Sequence, residues 1–126
     1  MAQISTFSCD EPVNLDPDRI VVLYAELGQV AAERVLSAAM EDLAVHLVAI
    51  QMAVLDRQEQ VILRGLDELG RLARQVGMRV LSQVARDLAD CVTREDTVAQ
   101  AAVLARLVRI GDRSLTAVWD LQDMRG

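Results

Sequence analysis

The chain has 126 residues, the size of one domain with one continuous core. Its net charge is −6 with no cluster of basic residues, which argues against nucleic acid as a partner. Hydrophobic residues make up 52% of the chain, yet no uninterrupted apolar run approaches the roughly 20 residues that span a bilayer, and no secretory signal is visible. We therefore expect a cytoplasmic protein that does not bind a membrane.

The chemistry available to the chain is limited. All 13 basic residues are arginine, so no lysine amine is present. The two cysteines, Cys9 and Cys91, and the single histidine, His46, do not form the pattern of a zinc site or of a disulfide framework. A Ser/His/Asp set and a glycine-rich phosphate loop are also missing from the sequence. We therefore expect neither an independent enzyme nor a bound metal or other cofactor.

The chain begins with a segment that has no helical periodicity. Residues 1–14 are predicted to be a flexible leader, and residues 15–126 to be one helical domain. Asp16 as N-cap and Pro17 at the first helical position predict a short helix that ends near Gly28. Its expected buried residues are Ile20, Leu23 and Leu27.

The second predicted helix covers about residues 30–55 and is apolar on two sides. A helix with two apolar faces must be covered on both. The first helix or a second copy of the protein can cover the outer side, which makes that side a candidate dimer face. The inner stripe is Leu36, Met40, Leu43, Leu47, Ile50 and Val54, and the outer residues are Val45, Val48, Ala49 and Met52.

Three further helices are predicted, at about residues 58–76, 80–92 and from Thr97 onward. Thr93 and Asp96 have the spacing of a capping box before the last helix, and Gly111 is expected to break or bend that helix. The expected buried residues are Ile62, Leu66, Leu69, Ala73 and Val76 in the third helix, Leu81, Val84, Leu88 and Cys91 or Val92 in the fourth, and Val98, Ala101, Ala102, Leu104 or Ala105, and Val108 in the last.

Short connections between these helices favour antiparallel neighbours. Aromatic residues make up only 2% of the chain, so the core must be built from aliphatic side chains, which suits packing of helix on helix. The predicted fold is all-α: an antiparallel up-down four-helix bundle with a short additional helix at its N-terminal end.

The third helix has a compact charged face opposite its apolar stripe. Both Arg64 and Arg71 have the helical spacing to pair with Asp67. Exposed pairs of this kind contribute only about 0.3 to 0.5 kcal/mol each, so a solvated face without function is one interpretation. The charged face consists of Arg64, Asp67, Glu68, Arg71 and Arg74.

The segment "LDELGRLARQVGMRVLSQVARDL" resembles the histidine-containing phosphotransfer (HPt) family, and the similarity extends over about residues 18–120. That family's pattern is a histidine, a lysine and a glycine three and four residues later, and then a stretch like "ARxLG". Here the tail of the pattern is present at residues 73–77, followed by Leu81 and the "ARDL" of residues 85–88. The resemblance implies phosphorelay signalling in a two-component system, with a receiver domain or a histidine kinase as partner.

The head of the pattern departs from the family. Asp67 stands at the phosphoacceptor position, Gly70 at the lysine position and Arg71 at the glycine position. In the family, the imidazole accepts phosphate, the basic residue holds the phosphoryl charge, and the glycine lets a receiver domain approach. This chain is therefore interpreted as a degenerate member that docks a partner through its charged face and Gly70 without transferring phosphate.

Three alternatives remain open. Asp67 itself can be considered as a phosphoacceptor, although aspartyl phosphate normally requires a metal held by neighbouring acids. His46, which follows Asp42 by one helical turn, is either a partly buried or Asp42-paired structural histidine or a relocated phosphoacceptor. The third alternative is a homodimerisation module, in which Val45, Val48 and Met52 pack against their symmetry mates.

Overall fold

A computed structural model describes residues 16–125, without the side chains of Pro17 and of residues 121–125. The predicted leader, including Cys9, lies outside the described residues. Within them the chain is all-helical and contains no strand, which confirms that the fold is all-α. The five helices are α1 (Pro17–Leu27), α2 (Gln29–Leu55), α3 (Glu59–Gln75), α4 (Arg79–Thr93) and α5 (Thr97–Arg125).

The core lies between α2, α3, α4 and α5. Each of these helices packs on the next in chain order, and α5 returns to pack on α2. The predicted apolar stripes of α3 and α4 are buried throughout, including Cys91, and that of α2 is buried except for the half-buried Val54. Buried residues that the four helices contribute include Leu36, Leu43, Ile50, Ile62, Leu69, Leu81, Leu88, Leu107 and Ile110.

Helix α1 begins as the sequence predicts, because the Asp16 carboxylate accepts a hydrogen bond from the Asp18 N–H at 3.1 Å. It is anchored at the turn between α3 and α4, where the Asp16 N–H donates to the Gly77 carbonyl at 2.8 Å. Ile20 is buried as expected, but the prediction for Leu27 was wrong, since this side chain is 44% exposed. Leu27 is the last residue of α1, next to the turn at Gly28.

The start of α5 differs from the prediction. The N-cap is Asp96, whose carboxylate accepts from the Ala99 N–H at 3.1 Å, whereas the Thr93 hydroxyl donates to the Ala89 carbonyl within α4. The predicted buried stripe of α5 was largely wrong, because Val98 is 82% exposed, and Ala101, Ala102 and Ala105 are exposed. Leu104 and Val108 are half-buried. The helix instead buries Leu107, Ile110, Ser114 and Val118.

Gly111 does not break α5, which continues to Arg125. A Cβ atom at position 111 would lie 2.6 Å from Cδ1 of Leu47 in α2. The glycine therefore lets two long helices approach closely, a role that the sequence pattern of α5 alone does not show.

Candidate docking face on α3

The charged face lies where the sequence places it, opposite the buried stripe of α3. Arg64, Asp67, Arg71 and Arg74 are exposed, and Glu68 is half-buried. A helix with one strongly apolar side must direct its remaining residues to solvent, so the position of this face follows from the packing of α3 on α2 and α4.

The pairing within the face differs from the prediction. Arg71 forms an ion pair with Glu68, three residues before it, and not with Asp67. Neither Arg64 nor Asp67 forms an ion pair with any residue in the described part of the chain. The Asp67 carboxylate is therefore left open to solvent.

The hydrogen bond from Arg71 is the main cause that lowers the pKa of Glu68, and the same bond raises the pKa of Arg71. A carboxyl group whose folded-state pKa lies below its ordinary value keeps its ion pair at neutral pH. The pair is lost only as the pH falls through that lowered pKa. The interaction between Glu68 and Arg71 is thus present under physiological conditions.

His46 projects from α2 toward the charged face. Its side chain is half-buried, as one interpretation of the sequence predicted, but it forms no ion pair with Asp42 among the described residues. Instead, His46 lies near Glu68 on α3, and its electrostatic interaction is the smallest of the effects that lower the pKa of Glu68, after those of Arg71. Sequence reasoning missed this neighbourhood because the two residues are far apart along the chain.

Gly70 and Arg74 form one wall of a groove between α3 and α4. Gly70 is buried, and the Nη1 atom of Arg74 donates a hydrogen bond to the Ser82 hydroxyl at 3.3 Å. The groove has a volume of about 210 Å³ and is lined also by Asp67 and by Arg86 of α4. Ser82 and Arg86 were not predicted as site residues. Their spacing of four residues on α4 was the only available signal, and it does not identify the groove by itself.

A second surface, on α2, is apolar and uncovered. Val45, Val48, Met52 and Leu55 are 65%, 59%, 56% and 76% exposed. Helix α1 does not cover these side chains, although the sequence allowed either α1 or a second copy of the protein to do so. By length and composition, α2 is the one helix among the described residues that is suited to cross a membrane, but a core helix of a soluble protein passes the same test.

Within residues 16–125, no group of three or more His, Cys, Asp or Glu side chains is arranged to hold a metal ion. No protein-family model matches the chain, and comparison with the curated proteins and with the solved structures found no match.

Proposed function

We propose that the chain is a degenerate HPt-like protein of a two-component phosphorelay, which docks a receiver domain or a sensor histidine kinase without accepting phosphate. The observation that carries this proposal is the position of Asp67. This residue is exposed and unpaired among the described residues, at the point of α3 where the resemblance expects the phosphoacceptor histidine. A partner can therefore reach this position, but it meets a carboxylate instead of an imidazole.

The proposed architecture is the antiparallel up-down four-helix bundle of the HPt family, with α1 as the additional helix. Two observations support it. The cyclic order of packing among α2, α3, α4 and α5 is that of a bundle, and the connections between them contain only three residues each.

The chemistry of the face favours docking over transfer. Phosphorylation of Asp67 would require a metal, and the described residues near it supply arginines rather than further ligands. Arg71, at the family's glycine position, places a guanidinium where the family has no side chain. An Arg–Glu pair beside the unpaired Asp67 and Arg64 can recognise a charged surface on a partner, with polar contacts that set specificity.

A capture experiment tests the proposed docking face. The wild-type protein and an Asp67→Ala/Arg71→Ala variant are immobilised and exposed to lysate of the native cell, and bound proteins are identified by mass spectrometry. We expect the wild type to recover a receiver domain or a histidine kinase. The affinity of the variant for that partner should be at least about tenfold lower, because two charged contacts at a docking surface together contribute about 1.4 kcal/mol or more.

The matched control is Arg34→Ala/Glu41→Ala, which removes one charge of each sign from exposed positions on α2. This control should bind as the wild type does. Equal recovery of the same partner by all three proteins would show that the charged face of α3 is not the docking site.

A second candidate function is homodimerisation through α2. The exposure of Val45, Val48, Met52 and Leu55 favours it, because a row of four large apolar side chains on one helix is costly to leave in water. A two-fold dimer would use this row twice and leave the charged face of α3 free on each copy.

Sedimentation velocity across a concentration series tests the dimer. We expect the wild type to shift from monomer to dimer with concentration, and Val48→Glu to remain monomeric, because a charge at the centre of an apolar interface is desolvated without a partner. Val98→Glu is the control, since Val98 is an exposed valine on α5. A wild type that stays monomeric at all concentrations would contradict this candidate.

A further inference from the structure

The groove between α3 and α4 contains a buried hydroxyl group with spare hydrogen-bonding capacity. Ser82 is only 5% exposed, and its Oγ accepts a hydrogen bond from Arg74 at 3.3 Å. The hydroxyl hydrogen has no acceptor among the described residues. Since a buried donor is stabilised by an acceptor, this hydrogen is available to a ligand in the groove.

Two arginines line the groove that contains this hydroxyl. Arg74 reaches the groove from α3, and Arg86 lines it from α4, one helical turn beyond Ser82. The Arg86 side chain is exposed and forms no ion pair or hydrogen bond with any residue the structure describes, so its guanidinium donors are free. Planar guanidinium groups match the oxygens of phosphate and carboxylate, which they bind through paired hydrogen bonds.

Gly70 leaves room for the Arg74 side chain in the groove. A Cβ atom at position 70 would lie 3.3 Å from Nη1 of Arg74, closer than most such contacts. The absence of a side chain therefore lets the Arg74 guanidinium lie along α3 and reach Ser82. This gives Gly70 a structural role in shaping the groove.

We propose that the groove is an oxyanion site that receives the phosphoryl group of a phosphorylated protein side chain, held by Arg74, Arg86 and the Ser82 hydroxyl. The volume of about 210 Å³ is below the range of pockets for drug-sized ligands, so it suits one small group rather than a nucleotide. The single carboxylate in the lining, Asp67, opposes the two arginines and limits the affinity for an anion. The assignment of the side chain to a docked signalling protein rests on the proposed function, whereas the anion chemistry of the groove does not.

Nuclear magnetic resonance titration of the full chain tests the site. The probes are inorganic phosphate and a short phosphoserine peptide, with the unphosphorylated peptide and chloride as controls. We expect both phosphate probes to shift the amide signals of Gly70, Arg74, Ser82 and Arg86, and both controls to leave them in place. Arg86→Gln should weaken binding about tenfold through the loss of a charged hydrogen-bonding partner.

Three further variants sharpen the test. Asp67→Asn should strengthen phosphate binding about fivefold, because it removes a negative charge from the lining. Gly70→Ala should weaken binding by displacing Arg74, whereas Arg34→Gln, which removes an arginine from α2, should bind as the wild type does. Amide spectra without probe show that each variant is folded.

The proposal is overturned if phosphate shifts no groove signal, if Arg86→Gln and Arg34→Gln weaken binding equally, or if only free phosphate and not the phosphopeptide binds. The outcome is separable from that of the capture experiment. If the phosphopeptide binds in the groove but no receiver or kinase is recovered from lysate, the oxyanion site stands and the phosphorelay proposal fails.

Discussion

Gly111→Val is expected to lower the free energy of unfolding by about 2 kcal/mol, because the added atoms overpack a filled core. The Cβ of any side chain at this position would lie within 3.4 Å of three atoms of Leu47, namely Cδ1, Cδ2 and Cγ. Valine has a higher helix propensity than glycine, but this gain of roughly 0.5 kcal/mol is smaller than the cost of overpacking. Chemical denaturation measures the effect.

A double-mutant cycle with Leu47 identifies the cause. Leu47→Ala alone should cost about 2 to 5 kcal/mol through the cavity it leaves. Combined with Gly111→Val, it should cost at least about 1 kcal/mol less than the sum of the two single changes, because the valine enters the space that the leucine vacates. Additive effects would contradict the close approach of α2 and α5.

Gly77→Ala is expected to cost about 2 kcal/mol, since an L-residue with positive φ is strained and the new methyl group also meets its neighbours. Gly77 has φ +79° at the C-terminal end of α3, and a Cβ there would lie 3.0 Å from the Asp16 carbonyl oxygen. The change therefore strains the turn and loosens the anchor of α1 at once.

The end of α4 offers the reverse experiment. Glu95 occupies the equivalent position after that helix with φ +57°, and a glycine is absent there. Glu95→Gly should therefore stabilise the protein, by up to about 1 kcal/mol. Thermal unfolding of Gly77→Ala and of Glu95→Gly measures the change in stability at the ends of α3 and α4. A stabilising Gly77→Ala would contradict the conformation described for the α3–α4 turn.

The sequence predicted α3 and α4 well because each has one apolar side and one polar side, so periodicity alone decides which residues are buried. Periodicity did not predict the buried residues of α5, because the N-terminal half of this helix is apolar on most sides. Val98 and the alanines that follow it match a helical stripe, but the helices that α5 packs against determine which side is buried. That information is long-range and is absent from a local pattern.

The candidate site shows the same limit. Helical spacing located the charged face but allowed several ion pairs, and the one that forms joins Arg71 to Glu68. The hydrogen bond from Arg74 to Ser82 and the approach of His46 to Glu68 both link different helices. No spacing rule within one helix predicts either contact.

At Gly77, the resemblance to the HPt family has a physical explanation. The match of the motif tail includes this glycine, whose positive φ ends α3 and whose lack of a side chain admits the start of α1. Part of the resemblance is therefore what any tightly ended helix requires. The proposed signalling function depends on what binds near Asp67, which a biochemical test must show.

The decisive measurement is a phosphorylation assay on the complex recovered from lysate. The wild-type chain is incubated with its captured partner and radiolabelled ATP, with a sensor kinase added as phosphodonor where the captured partner is a receiver domain. Each protein is then examined for label and for continued binding. We predict that the receiver domain or kinase becomes labelled and stays bound, while this chain remains unlabelled. Acid-labile label on the chain that disappears in His46→Gln would contradict docking without transfer and make the protein an active relay. Recovery of neither a receiver domain nor a kinase would contradict the phosphorelay assignment itself.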